Sequence, residues 1–225
     1  TPCPEGTACL EGACVVGCDL AAQYPSSLGC TFWSLDLDQY ADPYADPEGT
    51  PHSVIFSNPA GVDALVTITS RSGVLPTPVQ LTVPAQGVAT YTFPRLDVDG
   101  SGLSDRSFLL ESSWPISAYQ FNPLNEGAVF SGDASLLVPA EFLGTEYVAL
   151  SWPSAVVPEI LQLPSQHGYI TIVGTRSGVT SVSVTPTATV NAGPGVPELA
   201  AGTTYVFQLQ AGDVLNLEAQ GTDPL

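Results

Sequence analysis

From Thr31 onward the chain runs in short stretches where Val, Thr, Tyr and Phe alternate with polar residues, punctuated by Gly, Pro, Asn and Asp. An apolar residue at every second position gives an extended chain one buried and one wet face, so the pattern predicts antiparallel strands. They cover residues 31–37, 52–57, 64–70, 79–83, 89–93, 107–112 and 116–121, then 134–138, 147–150, 169–173, 181–185, 203–210 and 214–219. Residues 107–121 read as a hairpin around Trp114-Pro115. Helical periodicity is nearly absent; a single helical turn is predicted at 140–144, where a proline precedes Glu-Phe-Leu and a glycine follows. Strands about 8 to 15 residues apart with turn signals between them predict an all-β sandwich or barrel.

The two sets of strands read as copies of one unit. Thr90-Tyr91-Thr92-Phe93, after Gly87, is matched by Thr204-Tyr205-Val206-Phe207 after Gly202. Val54-Ile55-Phe56 with Gly61-Val62 is matched by Ile170-Thr171-Ile172-Val173 with Gly178-Val179. The common order and an offset of 114 to 117 residues predict tandem antiparallel β-sandwich units at 31–130 and 131–225, preceded by a Cys-rich disulfide segment at 1–30. The strands that end the first unit have no counterpart after residue 219. The second unit is therefore expected to lack its last strands, and to take them from downstream sequence or a neighbouring molecule.

Composition narrows the function. There are 22 acidic residues against four arginines and no lysine, a net charge of -18. Nucleic acid and anionic lipid both demand clustered cations, so neither is an expected partner. No apolar run reaches the roughly 18 residues of a membrane helix, so membrane insertion is not expected either. Cys3, Cys9, Cys14 and Cys18 crowd the first 18 residues and Cys30 follows. Gaps of five, four, three and eleven residues, with neither histidine nearby, suit disulfides in an oxidising compartment better than the paired C-x2-C steps of a zinc site. The pairing stays open, and the odd sulfur calls for a partner outside this set. A secreted, extracellular or cell-surface protein is expected.

Candidate chemistry is sparse. In Asp97-Val98-Asp99-Gly100-Ser101-Gly102-Leu103-Ser104-Asp105, oxygen side chains alternate and glycine stands sixth, as in a calcium loop with Asp97, Asp99, Ser101, the Leu103 carbonyl and Asp105 as ligands. Phe108 stands where a bidentate glutamate belongs, and a solvated Asp/Gly turn is the alternative. Calcium is the one ion this suggests; no other cofactor is expected. Asp36 and Asp38 share a strand face, with Asp42, Asp46 and Glu48 beyond; a carboxylate hydrolase is one reading and an exposed acidic face the other. His52 and His167 read as loop-edge residues, and no G-x-S-x-G, H-E-x-x-H or phosphate loop occurs, so no enzyme is expected. Trp33, Trp114 and Trp152 could form a sugar platform or pack in the sheets.

Several ordered motifs point to a family. Gly29-Cys30-Thr31-Phe32-Trp33-Ser34-Leu35-Asp36-Leu37-Asp38, Ser57-Asn58-Pro59, the stretch from Ser112 to Leu124, Asp133-Ala134-Ser135-Leu136-Leu137-Val138-Pro139 and Leu143-Gly144-Thr145-Glu146-Tyr147 together resemble the IgGFc-binding protein N-terminal domain, most nearly its bacterial, myxobacteria-like form. The resemblance implies a non-catalytic adhesion or binding module of a secreted or surface protein, with a protein or glycan partner. Long Thr/Val/Ser strands without lysine favour a second function, a structural subunit whose copies join through strand edges into a fibre or layer, as donor strands do.

Overall fold

The computed structural model describes residues 7–10, 13–39, 49–124, 132–155, 157 and 165–225. A ribbon of β1 (Thr7–Leu10) and β2 (Ala13–Val16) leads into one helical turn, α1 (Gly17–Ala21). A disulfide, Cys18–Cys30, ties α1 to β3 (Gly29–Ser34). Cys3 lies outside the described residues, as do the side chains of Cys9 and Cys14. There follow β4 (Ser53–Asn58), β5 (Ala64–Ser70), β6 (Val79–Val83), β7 (Gly87–Thr92), β8 (Gly102–Ser104) and β9 (Phe108–Asn122). After β10 (Asp133–Leu136) and a 3-10 turn at Ala140–Phe142 come β11 (Tyr169–Val173), β12 (Val179–Val184), β13 (Tyr205–Gln210) and β14 (Val214–Glu218). The fold is all-β and every strand pair is antiparallel, as the alternation predicts.

The expected hairpin at Trp114-Pro115 is instead one continuous 15-residue strand, β9. Its first half pairs with β5 and β3, and β6 extends that layer; its second half pairs with β4 and β10, and β7 extends the other. The register of β3 on β9 jumps from Thr31↔Glu111 to Gly29↔Ile116. This bulge absorbs Pro115, which has no N–H to give a ladder. Even-numbered Phe108, Leu110, Ile116 and Ala118 all point inward across the bend. They join Phe32, Val54, Phe56, Val66, Ile68 and Phe93 in the larger core.

Strands β11 to β14 trace the path of β4 to β7: the outer two pair with each other (β11–β14, like β4–β7) and so do the inner two (β12–β13, like β5–β6). By this path β13 corresponds to β6. The Thr-Tyr motifs of residues 90–93 and 204–207 therefore sit on strands that do not correspond, because a short alternating run fits any strand of such a sheet. Phe207, Leu209, Leu215, Leu217, Val190 and Leu199 form the second core.

Two strands cross the boundary expected between residues 130 and 131. β10 completes the first layer system on β9, and β8, from the first half, adds to the outer edge of β14. β14 is consequently buried on both faces: Leu215 and Leu217 face the second core, while Val214 packs with Leu35 and Val98 from the first half.

The docking of β8 depends on a close backbone approach. Leu103 N donates to Pro194 O at 2.8 Å, and a Cβ on Gly193 would run into the Ser101 carbonyl. Gly193→Ala should therefore cost about 3 kcal/mol or more, as the loss of a packed contact does. Gly178→Ala, at φ +84° with open space around it, should cost only about 1 kcal/mol from the left-handed backbone. Denaturant midpoints of the two variants check the contrast.

Candidate functional site

Asp36 is not on an exposed acidic face. It shares the parity of Phe32 and Ser34 and points inward with 3% of its surface exposed. His52 does stand at the loop edge, one residue before β4, but it is fully buried there, its ring stacked on Phe93 at 4.4 Å. Together with Ser34 they form a cluster that no spacing along the chain foretells. Ser34 Oγ lies 3.0 Å from His52 Nε2, and His52 Nδ1 lies 3.5 Å from Asp36 Oδ1. The order is that of a nucleophile, base and carboxylate.

Its polarity is reversed, however. Ser34 donates its proton to Gln120 Oε1 at 2.8 Å, an oxygen that also accepts from Leu35 N at 3.0 Å. The serine is thus an acceptor toward the histidine and is not activated by it. Leu96 N donates to Asp36 Oδ2 at 2.8 Å, and Ser34 has no exposed surface. The Ser34 and Leu35 bonds to Gln120 tie β3 to β9, whereas His52 Nδ1 is buried beside Asp36 without a hydrogen bond. Asp38 offers its carbonyl to the Tyr169 hydroxyl at 2.9 Å, and Asp42, Asp46 and Glu48 lie outside the described residues. Burial, with the charges of Asp38 and Asp133 adding to it, pushes the Tyr169 hydroxyl well above its ordinary value.

The loop proposed for calcium is where β8 arises. Gly100 O accepts from Asn216 Nδ2 at 2.8 Å, Ser101 Oγ accepts from Glu218 N at 2.9 Å, and Leu103 pairs with Leu215. Asp97 is held by Arg95, and its carbonyl accepts from Arg106. Asp99 is exposed on the loop and Asp105 is half-buried. These oxygens are arranged toward β14 and the arginines, and among the described residues no group of three or more acidic, histidine or cysteine side chains converges on one point. Burial raises the Asp97 carboxyl above its ordinary range, with the charge of Asp36 adding and Arg95 opposing.

The tryptophans occupy three different settings. Trp114 lies under Gly17 of α1, and Trp152 is 88% exposed. Trp33 faces outward from β3 into a groove of about 310 Å³, beside Thr31, Thr69, Arg71 and Glu111, with Thr175, Ser177 and Ala211 from the second half on the far wall. Arg71 crosses that groove to Ala211 O at 2.6 Å and Asp213 Oδ1 at 2.9 Å.

The surface that stands out is the β12–β13 ribbon. Both strands are sheet edges, and their outward residues, Val179, Ser181 and Ser183 facing Gln210, Gln208 and Val206, carry no charge. Val179 and Val206 are 64% and 58% exposed. Uncharged strands with open edges are what natural sheets ordinarily guard against.

Gln120→Leu should cost about 3 kcal/mol, because the Ser34 hydroxyl and Leu35 N–H would both be buried without an acceptor; urea unfolding measures it. For Asp97, the folded state holds its proton more tightly than the unfolded chain does. Stability is therefore lost as pH rises above the ordinary value of 3.8. Asp97→Asn should raise the melting temperature at neutral pH and leave it unchanged once the pH falls well below that value.

Comparison with known proteins bears on the second half. A model of the family described as IgGFc binding protein matches residues 133–223, the stretch from β10 through β14, and supports the family resemblance there. No curated protein and no solved structure matches the chain.

Proposed function

We propose that this chain is a non-catalytic, secreted or cell-surface module that binds a protein partner through the β12–β13 ribbon. The observation that carries the reading is the coincidence of the family match, residues 133–223, with the half of the chain that presents this uncharged, open-edged surface. A disulfide between Cys18 and Cys30 fits an oxidising compartment. Among the described residues no helix is long and apolar enough to cross a membrane. Adhesion follows if the partner is itself displayed on a surface.

The ribbon supplies two recognition elements. Its open edges offer backbone N–H and C=O groups for strand addition, and Val179 and Val206 supply apolar contact flanked by Ser and Gln hydrogen-bonding groups. A net charge of -18 elsewhere on the chain repels acidic partners, which makes a neutral or basic protein surface the better fit.

Immunoglobulin Fc, the ligand in the family's description, is the first partner to test. Saturable binding of the chain to immobilised Fc is expected, weakened at least about tenfold by Val206→Lys with Ser181→Lys. Absence of saturable binding would exclude Fc, and binding indifferent to the two lysines would exclude the ribbon.

A further inference from the structure

We propose that residues 147–152 of one copy of this chain add a strand to the open edge of β11 in a second copy. β11 ends its sheet, paired with β14 on one side only. Its counterpart β4 is paired on both sides, by β7 and by β9. The place beside β11 is thus the place that β9 fills in the first half.

The donor is a segment that pairs with no strand among the described residues of its own chain. Tyr147, Val148, Leu150 and Trp152 are 69%, 93%, 88% and 88% exposed. Such a run of large apolar side chains on a soluble surface marks a contact. Apolar residues at consecutive positions suit a strand covered on both faces, and the sheet of β11 and β14 is covered on both. Ser151-Trp152-Pro153 also repeats Ser113-Trp114-Pro115, the tripeptide at the bend of β9. Neither the donor run nor Tyr169–Val173 contains a charged residue, so the contact itself escapes the repulsion between two chains of charge -18.

In its own chain the segment reaches only the start of β11, where Trp152 O sits against Gly168, and Ser151 is engaged by Leu225, so the rest of the β11 edge is left to another copy. Ala155 and Gln166 exchange both backbone hydrogen bonds, at 2.7 and 2.9 Å. Gly168 N donates to Ser154 Oγ at 2.9 Å, Leu225 N donates to Ser151 Oγ at 2.8 Å, and Ser151 N is directed to Leu225 O at 3.5 Å. Pairing 147–152 with its own β11 would break the Ser151 contacts. Pairing it with a second copy leaves them in place and projects Tyr147 to Leu150 outward. Reciprocal exchange closes a dimer; one-way exchange continues as a filament.

Sedimentation equilibrium from the micromolar range to about 1 mM should show association that strengthens with salt, since screening relieves the repulsion of like-charged chains. Val148→Lys with Leu150→Lys should weaken it at least about tenfold while leaving the melting temperature unchanged, because both side chains are solvent-exposed in the single chain. A photo-crosslinking residue at position 150, in a mixture of ordinary and nitrogen-15-labelled protein, should yield mixed-label products joined to residues 169–173. A protein that stays monomeric throughout, association indifferent to the two lysines, or crosslinks to 169–173 within one label only would each overturn the proposal. The lysines lie off the β12–β13 ribbon, so Fc binding measured on the same variant separates this contact from the one proposed above.

Discussion

Strand β9 must serve two layers at once. A strand whose alternate residues face one core can belong to both only if its parity survives the bend between them, and Phe108, Leu110, Ile116 and Ala118 preserve it across 15 residues. The bulge at Ser112 to Pro115 lets the backbone turn without moving any of them to the wrong face. β3, β4, β5 and β10 pair with β9 directly, and β6 and β7 are one neighbour away. The buried Ser34, His52, Asp36 and Gln120 chain adds directional bonds where apolar contact alone would let β3 slide.

In the second half, strands β11 to β14 pair in the same order as β4 to β7, with no strand among the described residues in the place of β9. Its solution to the resulting exposure is partial: β8, borrowed from the first half, covers one edge of β14, and the first half covers the outer face of the same sheet. The edges of β11, β12 and β13 are left to other contacts. The chain has no lysine to blunt such edges, and Tyr147, Val148, Leu150 and Trp152 stand exposed on its surface.

How much of this was legible in the sequence depends on range. Alternation located most strands, with Ala64–Ser70, Val79–Val83 and Tyr169–Val173 falling where the pattern put them, because period two is a local property. The residues of 147–150 carry the same signal but have no strand partner among the described residues, and a strand is defined by its partner. Trp114-Pro115 looked like a turn because proline usually ends a ladder; only the bulge, a feature of pairing, permits it to continue. β8 was invisible, since Gly102–Ser104 is ordinary loop sequence recruited by β14. The burial of Asp36 and His52 likewise goes with distant partners, Leu96 and Phe93, that no spacing rule connects to them.

The interlock made by β8 and β10 bears on how such a protein can be divided. Each half contributes a strand that the other needs, so a cut near residue 130 would leave β9 without β10 and β14 without β8. Two pieces made this way would each carry a raw ladder edge. The halves resemble two links more than two beads: an excision at residue 130 would have to supply each piece with a substitute for the strand it loses.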